Sequence, residues 1–460
     1  MTSDTVEAPA GPHDLAPIRV LATEAAELRF DRLPADVVAL VGMSVLDTVG
    51  VALAARAEPV VQLVREELAG PGDTVLWGGA RSDPGSAALV NGVAAHALDY
   101  DDYAPGSGLH PSAPLVAALL AAASLESGRG RTVTGRDLVA AYVAGYEVQE
   151  RLGLVLWPSH YARGFHTTGT AGTVGAAAGA AHLLGAGPRE MTAALGLGAT
   201  DAAGVKAMFG SMGKPYHAGR AAASGLRAAR LAMRGITVGD DPLFGPQGLV
   251  AASSAATPGD LGPVRAPFGE PWHVLDVLPK LTPSCFGTHA AVACALDVRA
   301  AVDGQPIRRI VLTIPPVLLD VCTIPTPRTG LEGKFSLAYT TAAALRHGAV
   351  SVASFTDEAV RASPAVELGS RVELVLDDGL VKTASRLRVE LGDGRVLTAE
   401  RDAAQRLWTD NPEEVRPRVE GKFLEVAQGV ATPAEVVAML RDLPALPDVD
   451  ALSTLLVGVH

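Results

Sequence analysis

Aromatic residues make up only 4% of this 460-residue chain, and cysteine occurs three times, at Cys285, Cys294 and Cys322. The cysteines are odd in number and lack C-x-x-C spacing, which argues against a disulfide framework and a zinc site. A reducing, cytoplasmic setting is the expected one. There is no G-x-S-x-G elbow, and Cys285 reads as a packing residue rather than a nucleophile. The first twenty residues lack the basic and apolar regions of a secretory signal. No run reads as a bilayer span. The most membrane-like stretch, 169–187, is mostly glycine and alanine. Positive charge is also short: the formal net charge is −12, which argues against nucleic acid or a membrane surface as partner.

Lysine is the scarcest charged residue. Of 38 basic residues only six are lysines: Lys206, Lys214, Lys280, Lys334, Lys382 and Lys422. A chain that uses arginine for ordinary surface charge keeps lysine where a compact ammonium matters. Lys206, Lys214 and Lys280 stand in loops rich in glycine, proline and methionine. In "GKPYHAGR", Lys214 and His217 precede a helix start, whose free N–H groups favour an anion. A solvated loop lysine is the competing reading of Lys214.

What is abundant is alanine within a 48% hydrophobic composition, which suggests closely packed helices. Helical periodicity dominates 15–235, as in 34–56 and 135–156, with acids near the helix starts. After 272 the pattern changes. "IRRIVLTIP" is β-branched, and "SRLRVELGDGRVLTAERD" alternates around a hairpin turn. The fold class is therefore mainly α. The expected domains are an all-α domain over 1–271, an α+β domain over 272–402, and C-terminal helices over 403–460 that return to the first.

"HALDYDDYAPGSGLHP" concentrates Asp99, Asp101 and Asp102 where a helix ends, with His110 closing the loop. As a calcium loop it fails, because Ala104 stands where the pattern needs glycine. No metal is expected there. One acid suits a helix boundary, and an Asp beside a His suits a general acid/base pair. In "GFHTTGT", His166 points into a pocket at a helix start, or else Thr167 or Thr168 caps that helix and His166 is incidental. "GTAGTVG" lacks the strand and spacing of a dinucleotide fingerprint and reads as helix packing.

These segments together resemble the MmgE/PrpD family. The resembling residues are "NGVAAHALDYDDY…HPSAPLVAALLAAA", "GFHTTGTAGTVGAAAGAAHLLG", "GKPYHAGRAAASG", "LPKLTPSCFGTHAAV" and "TGLEGKFSLAYTTAAAL". They follow the family's order over nearly the whole chain. The resemblance implies a helical domain with an α+β lid, a homodimer, a site between the domains, and chemistry without metal or organic cofactor. It implies catalytic roles for Asp99, His110, His166, Lys214 and Lys280. His217, Tyr103 and Leu319 fall at substrate-binding positions. Tyr103 stands where the decarboxylase branch has threonine, and Leu319 where it has tyrosine. The loop before His110 is one residue longer.

The expected function is a cofactor-independent lyase taking a small-molecule carboxylate, first a hydro-lyase acting on a 2-methylcitrate-like hydroxy polycarboxylate. The alternatives are a cis-aconitate-like decarboxylase, an epimerase of a dicarboxylate, and a member redirected to a specialised-metabolite substrate or to non-catalytic binding. Lys214 and Lys280 would hold carboxylates and stabilise developing negative charge, His166 would assist, and Asp99 with His110 would move the proton.

Overall fold

The computed structural model describes residues 16–457 except 323, 363, 405–411, 428 and 429. The N-terminal stretch read for a signal lies mostly outside these residues, as does part of the tail.

The fold is mainly α. Its larger core gathers buried side chains from Ile18 to Val277 and again from Val415 to Leu456. Ala35–Ala54 runs through this core, nearly all of it buried. The 35–57 stretch is long and apolar enough by composition to cross a membrane, and 83% of its most apolar window is buried inside the fold. The most membrane-like run is thus this one and not 169–187. Leucine and valine carry its hydropathy, where the later run has glycine and alanine. Gly135–Leu156 begins with a capping box between Thr134 and Asp137, as its opening acid predicts.

Small residues set how the helices cross. A Cβ on Gly145 would lie 2.7 Å from the Gly175 carbonyl oxygen, so Gly135–Leu156 and Thr167–Leu183 touch backbone to backbone. "GTAGTVG" therefore serves helix packing. A Cβ on Gly92 would lie 2.8 Å from the Gly219 Cα, which brings Pro84–Ala97 against Gly213–Ala232. That crossing matters for the site. It sets the end of the first helix, where Asp99 follows, beside the start of the second, where Lys214 lies.

A second core spans Ala291 to Leu391. Its four-stranded sheet runs in the order Val372–Leu376, Ile307–Ile314, Ala384–Leu391, Val396–Asp402. The first pair is parallel and the others antiparallel. The last two strands form the hairpin expected from "GDG", with Gly394 at φ +92°. Buried Ile310, Leu312, Leu387 and Val389 meet helices His289–Val302 and Leu337–His347. The tail comes back to the helical body through Pro412–Val426, where the Phe423 ring lies against Gly50.

Candidate active site

The helix Pro84–Ala97 stops at Leu98, and Asp99 takes the left-handed conformation that more often belongs to glycine (φ +51°). This turn aims the Asp99 carboxylate inward. Oδ2 lies 2.8 Å from Lys214 Nζ, and Oδ1 accepts a hydrogen bond from Lys280 Nζ. Burial alone would raise the Asp99 pKa. Lys214 and Lys280, with His110 and His96, outweigh it and hold the carboxyl well below the ordinary carboxylate range.

His110 lies across from this pair, with Nε2 3.9 Å from Asp99 Oδ1. Its Nδ1 is 3.0 Å from the Asp102 carbonyl oxygen, which can only accept. The proton therefore sits on Nδ1, and Nε2 keeps a lone pair. Burial, then Lys280 and Lys214, hold His110 well below the ordinary histidine range, so the ring is neutral at neutral pH.

His166 is itself the N-cap residue of Thr167–Leu183, with no capping bond from its side chain. The threonine cap is not formed: Thr168 Oγ1 accepts the His110 backbone N–H at 3.0 Å and ties the two histidine segments together. His166 Nδ1 is 3.0 Å from His217 Nδ1, while its Nε2 is buried without a hydrogen-bond partner. Burial, then Lys214, keep His166 well below the usual histidine range.

One cavity joins these groups. His110, His166, Lys214 and Tyr103 line it from the helical body, and Leu318 and Lys382 from the α+β part. Cys285 also lines it, rather than serving as core packing alone. The Tyr103 ring stacks on Phe286 at 4.4 Å and meets the His110 ring edge-on at 5.6 Å.

Four sequence expectations need correction. Lys214 and His217 lie inside the helix Gly213–Ala232, not before it, because Pro215 is tolerated in its first turn. His217 stands behind His166 and does not line the cavity. Leu319 is 37% exposed, whereas Leu318 is 7% exposed and faces inward. The tight Pro316–Asp320 turn, close to three residues per turn, puts Leu318 and Val321 on the inner side and Leu319 outside. Lys280 is fully buried, and its ammonium is used up by the Asp99 carboxylate, the Asp99 carbonyl at 3.1 Å and the Ser284 carbonyl at 3.1 Å. It holds Asp99 rather than facing the cavity.

Several residues take roles that the sequence did not assign to them. His96 Nδ1 pairs with Asp101 Oδ2 at 2.7 Å, and the His96 ring meets His110 at 4.6 Å. Asp102 receives the Ser112 backbone N–H at 3.1 Å and the Ser112 hydroxyl, so it caps the start of Ser112–Ser127. It serves the following helix rather than the one that ends at Leu98. Lys334 donates to the Leu98 carbonyl at 2.6 Å and Lys422 to the Tyr100 carbonyl at 2.6 Å. Lysine scarcity was the available signal: four of the six lysines bind carbonyls of the 98–105 segment.

His96, Asp101 and His110 offer donor atoms within 4.8 Å of one another, the spacing of a metal site. Here His96 and Asp101 are already joined to each other, and His110 Nδ1 is turned to a carbonyl. With Lys214 and Lys280 on the adjacent Asp99, the set serves better as a proton network than as a cation cage.

The fold thus brings two histidines and a buried lysine to one cavity, where a helical body meets an α+β part. Residues 19–260 match the MmgE/PrpD N-terminal domain and residues 282–442 the MmgE/PrpD C-terminal domain. The chain belongs to the MmgE/PrpD family. It is 33% identical to the cis-aconitate decarboxylase of Homo sapiens over 318 residues, covering 65% of this chain and 64% of the relative. It is 30% identical to the cis-aconitate decarboxylase-like protein oryM of Aspergillus oryzae over 307 residues, 62% of this chain and 64% of the relative. With the cis-aconitate decarboxylase of Aspergillus terreus it shares 28% over 279 residues, 58% of this chain and 57% of that protein. These matches span less than two thirds of the length of each relative.

Proposed function

We propose that the protein is a lyase of small polycarboxylates, working through a carbanion or enolate next to a carboxylate. The observation that carries this reading is that His110, whose Nε2 is an unprotonated ring nitrogen, and the Lys214 ammonium line one cavity beside the same Asp99 carboxylate. A proton acceptor near a fixed positive charge is the arrangement that such an intermediate requires. Asp99 keeps Lys214 in place. His166 Nε2 offers a second proton site: with His217 donating across the Nδ1–Nδ1 contact, His166 carries its proton toward the cavity. The α+β part covers this chamber as a lid and limits water.

Carbon–carbon cleavage is the first reading, because the relatives are named as cis-aconitate decarboxylases. In that reaction the substrate loses CO2, the electron pair moves into the adjacent unsaturated system, and a proton taken up from solvent by His110 Nε2 is delivered to carbon, with His166 Nε2 assisting. Dehydration of a hydroxy polycarboxylate, expected first from the sequence, becomes the second reading. The lone pair on His110 Nε2 supports it, since removal of a carbon-bound proton starts that reaction. A homodimer in a cytoplasmic setting, without metal or organic cofactor, completes the proposal.

Incubation with cis-aconitate, citrate and 2-methylcitrate tests the two readings. Release of CO2 supports the first. A new unsaturated product without CO2 supports the second. If neither occurs with any of these acids, the lyase reading fails.

A further inference from the structure

A lysine ammonium has three N–H donors, and a lysine that is to hold a substrate carboxylate needs one or more to spare. Lys280 and Lys422 have none. Lys280 is bound as described above, and Lys422 is held by the Tyr100 carbonyl at 2.6 Å, the Lys280 carbonyl at 3.0 Å and the Asp47 carboxylate at 2.7 Å. Lys334 donates to the Leu98 carbonyl at 2.6 Å and the Pro283 carbonyl at 2.9 Å and turns toward the Phe355 ring, outside the catalytic cavity. Lys206 lies over the Tyr161 ring at 3.9 Å and does not line the cavity.

Two lysines remain, and both line the same cavity. Lys214 contacts Asp99 Oδ2, and Lys382 donates to the Pro105 carbonyl. They stand at different rings. Lys214 Nζ is 5.5 Å from the Phe209 ring centre and 5.4 Å from that of Phe335, whereas Lys382 Nζ is 4.3 Å from the Trp157 ring centre. Lys382 comes from the turn that leads into Ala384–Leu391, on the α+β part, and beside it Thr383 also lines the cavity. Lys382 is half-buried, so its charge is only partly screened, and Glu150 is the carboxylate that acts on it.

We propose that Lys382 is the second anion-binding residue of the cavity, holding a carboxylate remote from the reacting carbon while Lys214 serves the reacting end. The inference rests on the polycarboxylate reading above and sharpens it: the substrate carries anionic groups at two separated ends, with an apolar or unsaturated segment facing Tyr103 and Phe286. The remote carboxylate displaces the Pro105 carbonyl as the acceptor of Lys382. Because Lys382 belongs to the α+β part, substrate charge also draws that part onto the helical body.

The test is equilibrium binding of tricarballylate, an unreactive tricarboxylate, and of butyrate to the intact protein and to Lys382→Met and Lys382→Arg. The loss of one charge-assisted hydrogen bond predicts about tenfold or weaker tricarballylate binding for Lys382→Met, with butyrate unchanged within about twofold. Lys382→Arg keeps the charge and should recover most of the affinity, which separates charge recognition from packing on Trp157. With a reacting polycarboxylate, Lys382→Met should raise KM more than it lowers kcat. If the Met variant binds tricarballylate within about twofold of the unmodified protein, or if the unmodified protein does not bind it, the assignment is overturned. If binding depends on Lys382 but no acid is turned over, the assignment stands and the reaction proposed above falls.

Discussion

Lys280 grips Asp99 twice, once at the carboxylate and once at the backbone carbonyl of the same residue. The second contact fixes the left-handed turn, and the first fixes the side chain that the turn presents. Lys334 and Lys422 hold the carbonyls on either side, so the 98–100 segment is clamped by three lysines remote in sequence.

Replacing Lys280 by Ala removes this double contact and leaves the Asp99 carboxylate buried with one partner fewer. Breaking one side of a buried pair costs about 3–5 kcal/mol of stability. Denaturant unfolding should show that loss, and turnover should fall by on the order of 100-fold or more, because Asp99 is no longer held against Lys214. An unchanged unfolding midpoint would show that the pair carries no stability. Full activity would show that Lys280 does not set up Asp99.

Under the proposed function, the acid side of the pH–rate profile follows from His110. The ring acts as a base only when neutral. Burial, then Lys280 and Lys214, with His96 beside them, place its folded value well below 6.5, and Asp99 opposes them only in part. The base is therefore lost only at pH values well under that of an ordinary histidine. A profile of kcat/KM should stay level through about pH 6.5 and fall further down. An acid limb centred on the ordinary histidine value would contradict this.

Asp102 makes stability depend on pH in the opposite sense to a salt-bridged acid. Burial pushes its carboxyl up to about 8 from 3.8, despite the hydrogen bonds from Ser112. The folded form thus holds a proton that the unfolded chain has released at neutral pH. This contribution is fully present below about pH 4 and is lost as the pH rises through about 8. Asp102→Asn cannot ionise and keeps an oxygen for the Ser112 N–H. From about pH 6 to about pH 9 its Tm should fall less than that of the unmodified protein. Parallel Tm curves would refute the assignment.

Leu318 and Leu319 separate the cavity wall from the surface. Leu318→Ala should cost about 2–5 kcal/mol and alter KM, since its side chain is buried and lines the cavity. Leu319→Ala should stay within about 0.5 kcal/mol and leave kinetics nearly unchanged. Equal effects of the two would mean that the turn at 316–320 faces the other way.

Much of the fold was legible because the patterns are local. The helical periods of 135–156 and the "GDG" hairpin each place an element without help from the rest of the chain. Site residues were legible where type and scarcity coincide: Asp99, His110, His166 and Lys214 do converge. What escaped depends on direction rather than type. A tight turn shifts the inward position by one residue, so Leu318 takes the place expected of Leu319. Nothing local to "LPKL" says that the Lys280 donors are already used. His96 lies in the last turn of its helix, and its pairing with Asp101 across the helix end shows only once the chain turns at Asp99.

His110 and Lys214 line one cavity, and under the proposed function a bond in a polycarboxylate breaks there. Mass spectrometry of cis-aconitate, citrate and 2-methylcitrate, each incubated with the unmodified protein and with His110→Gln, tests it most directly. One of these acids should lose carbon dioxide or water with the unmodified protein, and the variant should slow this loss by about 100-fold or more. Unchanged acids with the unmodified protein, or equal rates for the two proteins, would contradict it.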